Sequence, residues 1–129
     1  MTTFRRFEDI DAWQLARKIC QRICEITSDG LFSKDFGLKD QINRSSGSIM
    51  DNIAEGFERD GNKEFRQFLS ISKGSCGEVK SQLYRALDKH YISEETFKEL
   101  YDELENVSGK LTRLMKYLST SNNRGPKYD

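Results

Sequence analysis

The 129-residue sequence has very little histidine, tryptophan and proline. It contains one histidine, His90, one tryptophan, Trp13, and one proline, Pro126, close to its C-terminal end. A single histidine excludes sites that require two, such as a di-iron centre made from paired Glu-x-x-His motifs inside a helical bundle. The lack of proline before Pro126 leaves long helices free of proline kinks. We therefore expect a helical protein that is not an enzyme.

An excess of charge of either sign is also absent, because 21 basic residues balance 21 acidic ones. Attraction to a polyanion requires a positive surface, so any contact with nucleic acid must come from a local patch. No run of about 18 apolar residues is present, and the segment Met1–Ile10 lacks the apolar stretch of a signal peptide. We therefore expect a cytoplasmic protein that does not enter a membrane.

The three cysteines, Cys20, Cys24 and Cys76, make an odd number, and the first two lie four residues apart. This arrangement favours reduced thiols over a disulfide framework. A zinc site would need a fourth ligand, and His90 is the only histidine that could supply it. Small core residues are the simpler interpretation. The sequence thus predicts neither a metal nor a cofactor.

Apolar residues at alternating steps of three and four are abundant, which is the spacing of a core-facing helix. The clearest set runs from Phe97 to Leu118 as a heptad pattern, with Ser93 as the N-cap. Three earlier segments, residues 9–27, 36–59 and 63–89, show the same spacing. Four helices with short connections predict an all-α fold, an up-down-up-down antiparallel four-helix bundle in a single domain.

The same pattern sets the limits of that domain. We assign residues 1–8 to an N-terminal segment, 9–118 to the bundle and 119–129 to a mobile C-terminal tail. The first helix is apolar around more of its circumference than one core can bury, with Trp13 and Cys20 in one row and Leu15 and Ile26 in another. We therefore expect this helix to contact a second copy of the chain.

Small residues interrupt the second and third predicted helices, where each glycine costs about 1 kcal/mol relative to alanine. Gly47 and Ser75 each lie 14 residues from Gly61, so antiparallel helices would bring them level. We predict close helix packing through Gly47, Ser48, Gly74 and Ser75. The alternative is a phosphate-binding turn, which normally follows a strand. If packing is the reason, Gly47→Leu should destabilise the fold.

Asn52, Glu55 and Arg59 follow one another at steps of three and four and therefore share a helix face. Glu55 precedes Arg59 by four residues, the favourable orientation for an ion pair. Gly56, beside them, has no side chain and would let Phe65 approach across the turn. We favour a structural role for this group, because a carboxylate without a histidine, nucleophile or metal makes a poor active site.

The third predicted helix concentrates positive charge. Residues 61–92 contain six cations, namely Lys63, Arg66, Lys73, Lys80, Arg85 and Lys89. Three carboxylates, Glu64, Glu78 and Asp88, oppose them and leave a local balance of six minus three, or plus three. A basic RNA-binding surface, multiplied in an oligomer, is one interpretation. An ordinary solvated helix face with mixed charges is the other.

The chain reads SIMDNIAEGFER at residues 48–59, KEFRQFL at 63–69 and GSCGEVKSQL at 74–83. These segments resemble the proteins encoded in intervening sequences of bacterial 23S ribosomal RNA genes. The similarity extends to Trp13 and Ala16 and to FGLKDQI at 36–42, so it covers nearly the whole domain. Met50 and Asp51 stand where the family usually has Pro-Ser, which implies a straighter second helix.

The resemblance implies an all-α bundle that commonly assembles as a ring of five subunits, without enzymatic chemistry and with a suspected link to RNA. We therefore expect a homo-oligomeric interaction module, by resemblance a homopentamer. Its expected partners are further copies of itself and an RNA or an RNA-associated protein, bound through the basic third helix. The alternative function is a scaffold or accessory factor that contacts only proteins.

Overall fold

The computed structural model describes residues 4–120, and every regular element in that range is a helix. The four long helices are α1 (Asp11–Thr27), α2 (Phe36–Glu58), α3 (Asn62–Asp88) and α4 (Glu94–Thr120). Short 3₁₀ turns at Phe7–Asp9 and Phe32–Lys34 precede α1 and α2. The all-α bundle is confirmed. None of the described helices is long and apolar enough to cross a bilayer.

The helix ends follow from local chemistry. The Asp35 carboxylate accepts the backbone N–H of Leu38 at 3.1 Å and caps α2, while the Ser93 hydroxyl accepts the N–H of Thr96 at 3.1 Å and caps α4 as predicted. Gly61 turns the chain between α2 and α3 with a φ of 90°. His90 occupies the left-handed region with a φ of 60°, so the only histidine is an exposed turn residue after α3.

Each long helix contacts its two neighbours in the bundle: α1 and α3 both pack against α2 and α4. The apolar row of α4 is buried in this arrangement, from Leu100 through Leu118. Parts of the two predicted terminal segments, residues 1–3 and 121–129, lie outside the described residues. Helix α4 continues to Thr120, two residues into the segment assigned to the tail.

Helix α1 buries its apolar surface more completely than its two rows implied. The line that reaches the core lies between those rows and contains Ala12, Ala16, Ile19, Ile23 and Thr27. The flanking apolar residues, among them Trp13, Leu15 and Ile26, are half-buried and pack against that core within the chain. The assumption that one core cannot accommodate both rows was therefore wrong. Contact between α1 and a second copy of the chain stays a prediction, but an excess of apolar surface on α1 no longer supports it.

The connection between α1 and α2 closes one end of the bundle. Phe32 is 1% exposed, and its ring centroid lies 5.1 Å from that of Tyr91, just after α3. The Tyr91 hydroxyl donates to Asp35 Oδ2 at 2.9 Å, and the Lys89 ammonium lies 3.4 Å from the same oxygen. Asp35 therefore joins the start of α2 to the end of α3.

These contacts set the titration of Asp35. The backbone N–H of Leu38, the Tyr91 hydroxyl and the Lys89 ammonium all hold the pKa of this carboxyl below its usual value. A carboxyl whose pKa is lower in the folded than in the unfolded chain stabilises the fold above its unfolded pKa of about 4. That stabilisation is lost as the pH falls through the folded-state value.

We expect Asp35→Asn to lower the Tm at neutral pH, since asparagine still caps a helix but carries no charge for Lys89. The difference in Tm between the variant and the wild type should shrink below about pH 4 and disappear at lower pH. Thermal unfolding of both proteins between neutral and acidic pH measures it. Asp102→Asn is the control, because its exposed pair with Lys98 lies within one helix. A difference that is constant across the pH range would contradict the assignment.

Candidate nucleic-acid interface

Where the two stretches of small residues meet, serines and not glycines make the contacts between α2 and α3. The hydroxyls of Ser48 and Ser75 lie 2.9 Å apart, so these two residues face each other as predicted. The buried Ser72 hydroxyl donates to the carbonyl of Ile49 at 2.7 Å. Further along, the Gln82 amide donates to Ser45 at 3.1 Å. A ladder of polar contacts therefore runs along the interface between the two helices.

The prediction of close packing at Gly47 and Gly74 was wrong. A Cβ atom built on either residue would have no neighbouring atom within 4 Å, and the same is true of Gly77. The sequence correctly placed the two stretches at the same level along the helix axes. Each residue, however, turns an α-helix by about 100°, so the glycines next to the facing serines point away from the partner helix. Among residues 4–120, no contact offsets the helix-propensity cost of Gly74 and Gly77.

The motif around Gly56 forms structural contacts. A Cβ on this buried glycine would lie 2.7 Å from Phe68 Cβ and 3.1 Å from Phe65 Cδ1, in line with the expected approach of Phe65. Arg59 pairs with Glu55 at 2.8 Å, and its guanidinium lies 5.0 Å from the centroid of the Phe68 ring. Asn52 donates to the hydroxyl and the carbonyl of Ser48. All four residues thus support the junction of α2 and α3.

Two of the three thiols, those of Cys20 and Cys76, are poorly suited to chemistry. Burial raises the pKa of Cys20 and raises that of Cys76 to about 11. A thiol that stays protonated at neutral pH is a weak nucleophile and a weak metal ligand. Among residues 4–120, no group of three potential ligands of the His, Cys, Asp or Glu type comes together.

The six cations of α3 do not form a single surface. Lys80 is paired with Glu105 of α4, and its ammonium lies 5.2 Å from the Tyr101 ring centroid. Lys89 is paired with Asp35 on the other side of α3. Arg66 is half-buried, and its Nε is buried without a hydrogen-bond partner. Two of the predicted RNA-binding cations are therefore neutralised within the chain and a third is partly withdrawn from solvent.

The remaining three cations are exposed and lie along the solvent side of α3. Lys63 and Lys73 make no ion pair within residues 4–120, and Arg85 donates to the neutral amide of Gln41 at 3.0 Å. We define the α3 outer face as the exposed residues that follow one another at steps of three and four, namely Lys63, Gln67, Ser70, Gly74, Gly77, Ser81 and Arg85. Lys73 and Glu78 border this face, and the exposed Asp88 continues it three residues after Arg85.

The α3 outer face is long and smooth. From Lys63 to Arg85 it extends over 22 residue-to-residue steps, or about 33 Å at a rise of 1.5 Å per residue. Small side chains and bare backbone occupy its middle, and cations stand at both ends. The sequence analysis assigned the small residues of α3 to helix packing. Their spacing of three and four residues, in step with exposed polar residues, could instead have identified this solvent-facing side of α3.

A sequence model of the family described as 23S rRNA-intervening sequence protein matches residues 8–113. The chain belongs to this family. The matched range of this 23S rRNA-intervening sequence protein includes the whole α3 outer face and the motif around Gly56. The family assignment made from the sequence is thereby confirmed.

A solved structure shares the fold of this 23S rRNA-intervening sequence protein. It is a protein of unknown function from the S23 ribosomal protein family of Bacteroides thetaiotaomicron, with 22% sequence identity and a TM-score of 0.75. The match covers 81% of this chain and 95% of that one. No curated protein matches the chain significantly.

Proposed function

We propose that this 23S rRNA-intervening sequence protein is a non-enzymatic, self-associating binding module whose α3 outer face contacts RNA. The observation that carries the proposal is the exposed cations Lys63, Lys73 and Arg85, which lack carboxylate partners and flank a stretch of glycine and serine. Glycine lets a ligand backbone approach a helix closely, and lysine and arginine neutralise phosphate. The link between the family and 23S ribosomal RNA genes favours RNA as the polyanion.

Self-association would give this face its strength. Three cations per chain bind phosphate weakly, but repeating the face in a homopentamer, the assembly expected from the family resemblance, multiplies the contacts. Four large apolar side chains support such an assembly because they are at least half exposed: Leu31, Phe36, Ile71 and Tyr84. Leu31 and Phe36 flank the 3₁₀ turn at one end of the bundle and make the most exposed pair.

The absence of enzymatic activity belongs to the same proposal. His90 is an exposed turn residue, and the half-buried Cys20 and buried Cys76 have raised pKa values. The Glu55 carboxylate is engaged by Arg59. Among the described residues, these groups do not come together as a base, a nucleophile and a metal site would require.

We expect the triple variant Lys63→Gln, Lys73→Gln, Arg85→Gln to lose most of its affinity for a structured 23S ribosomal RNA fragment. If each cation contacts one phosphate, the slope of log K against log salt should flatten by up to about 2.7. Filter binding over a range of salt concentrations measures both effects. The double variant Lys80→Gln, Lys89→Gln is the matched control, because these lysines already have carboxylate partners. Equal losses in the two variants would contradict the proposed face.

A protein-only scaffold is the second candidate function. It is favoured by an aromatic cluster on the outside of α3 and α4, where the Tyr84 ring lies 4.7 Å from that of Phe97 and 6.1 Å from that of Tyr101. Tyr84 is 51% exposed, as expected for part of a protein interface. If the wild type retains no RNA even at about 50 mM salt, the scaffold is the better description.

A further inference from the structure

A basic groove lies on the outside of α1, separate from the α3 outer face. It has a volume of about 660 Å³, within the range of about 300–1,000 Å³ typical of ligand pockets. Its walls carry the indole of Trp13, the cations Arg6, Arg17 and Lys18, and the amides of Gln14 and Gln21. The N-terminal segment forms one wall, through Arg6 and Glu8, and the first turns of α1 form the other.

The Trp13 ring is held in place and remains partly open to solvent. The Phe7 ring meets it edge-to-face, with the centroids 5.1 Å apart and the planes at 65°. The Arg17 guanidinium lies 6.0 Å from the indole centroid. Trp13 is half-buried and lines the groove. The indole, with the Arg17 guanidinium over its ring, is thus part of the groove lining.

The charge of the groove is positive and only partly compensated. Arg17 and Lys18 are exposed and have no carboxylate partner within residues 4–120. Arg6 lies 3.8 Å from Asp9, a loose and exposed pair. Glu8 is the only acidic residue in the lining, so three cations against one carboxylate leave a balance of plus two. The carbonyl of Glu8 accepts the Gln14 amide at 2.7 Å, which fixes that amide at the groove wall.

We infer that this groove binds a segment of single-stranded RNA, with a base stacked on Trp13 and the adjoining phosphates held by Arg17 and Lys18. Every base has a π-face, so an aromatic ring between cations accepts a single strand with little preference for sequence. The bases of a duplex are stacked on one another and cannot reach the indole. A peptide of acidic residues alone would use the cations but has no aromatic ring to stack on the indole. This inference goes beyond the α3 proposal and does not depend on it.

The site carries its own reporter, because Trp13 is the only tryptophan in the sequence. We expect a short oligoadenylate to quench the Trp13 fluorescence saturably, and each phosphate contact to add about 0.7 to the salt slope. The double variant Arg17→Gln, Lys18→Gln should weaken this binding by about tenfold. The variant Lys98→Gln, Lys116→Gln, which removes two exposed cations of α4, should leave the binding unchanged and so shows that the loss does not come from net charge alone.

Three further ligands distinguish the possible occupants: an RNA duplex of the same length, adenosine monophosphate and polyglutamate. The inference holds if the single strand binds most tightly and the double variant of Arg17 and Lys18 loses that preference. It is overturned if no quenching occurs, if the duplex or polyglutamate binds equally well, or if the mononucleotide accounts for the full affinity. In anisotropy measurements with labelled oligoadenylate, Trp13→Phe should retain binding and Trp13→Ala should lose it, provided that both variants unfold at similar temperatures.

Discussion

Replacing Gly56 by alanine is expected to lower the free energy of unfolding by about 1–3 kcal/mol, although alanine is the better helix former. The new Cβ would lie 2.7 Å from Phe68 Cβ, closer than two carbon atoms can approach. Phe68 Cβ is bonded directly to the backbone, so no rotation of the side chain relieves the contact. Helices α2 and α3 must therefore move apart near the turn that joins them. Chemical denaturation of the purified protein measures the change.

Gly47→Ala is the matched control for Gly56→Ala. It lies in the same helix, but its Cβ would meet nothing within 4 Å, so we expect it to stabilise the protein by about 0.5–1 kcal/mol. Phe68→Ala should not rescue Gly56→Ala, because alanine keeps the clashing Cβ. Equal effects of alanine at positions 47 and 56 would show that the backbone approach at Gly56 is not tight.

The helices were predictable because each one buries a single line of apolar residues. The predicted limits of α2 and α3 differ from the observed ones by at most one residue, since Asp35 and Gly61 mark their starts chemically. The rotation of each helix about its axis was not predictable with the same accuracy. A symmetric distance from Gly61 fixes how far along the bundle two residues lie, but it does not say which side of the helix they occupy.

The basic surface shows the same limit. Six cations within one helix look equivalent in the sequence, yet Lys80 is neutralised by Glu105, 25 residues away, and Lys89 by Asp35, 54 residues away. Contacts so distant in sequence leave no local pattern. Trp13 was assigned to an apolar row, which is correct for the edge that packs on Phe7. Its exposed part was not predictable, because the groove exists only where the N-terminal segment folds back beside α1.

Phe32→Ala is expected to lower the free energy of unfolding by about 3–5 kcal/mol, the usual cost of removing a fully buried phenylalanine. Phe32 lies between two helices and was not recognised as a core residue, because no helical period includes it. Its ring is 1% exposed and packs on Tyr91, whose hydroxyl holds Asp35. Loss of the ring would therefore open a cavity and also loosen the cap of α2.

Phe36→Ala is the matched control for Phe32→Ala. Phe36 is the same residue type four positions later but is 77% exposed, so its truncation should change the stability of the single chain by less than about 0.5 kcal/mol. Light scattering on both variants then separates folding from assembly. If Phe36 contributes to self-association, Phe36→Ala should reduce the assembled mass without loss of helix content. A small effect of Phe32→Ala on unfolding would mean that the end of the bundle is closed by the remaining side chains.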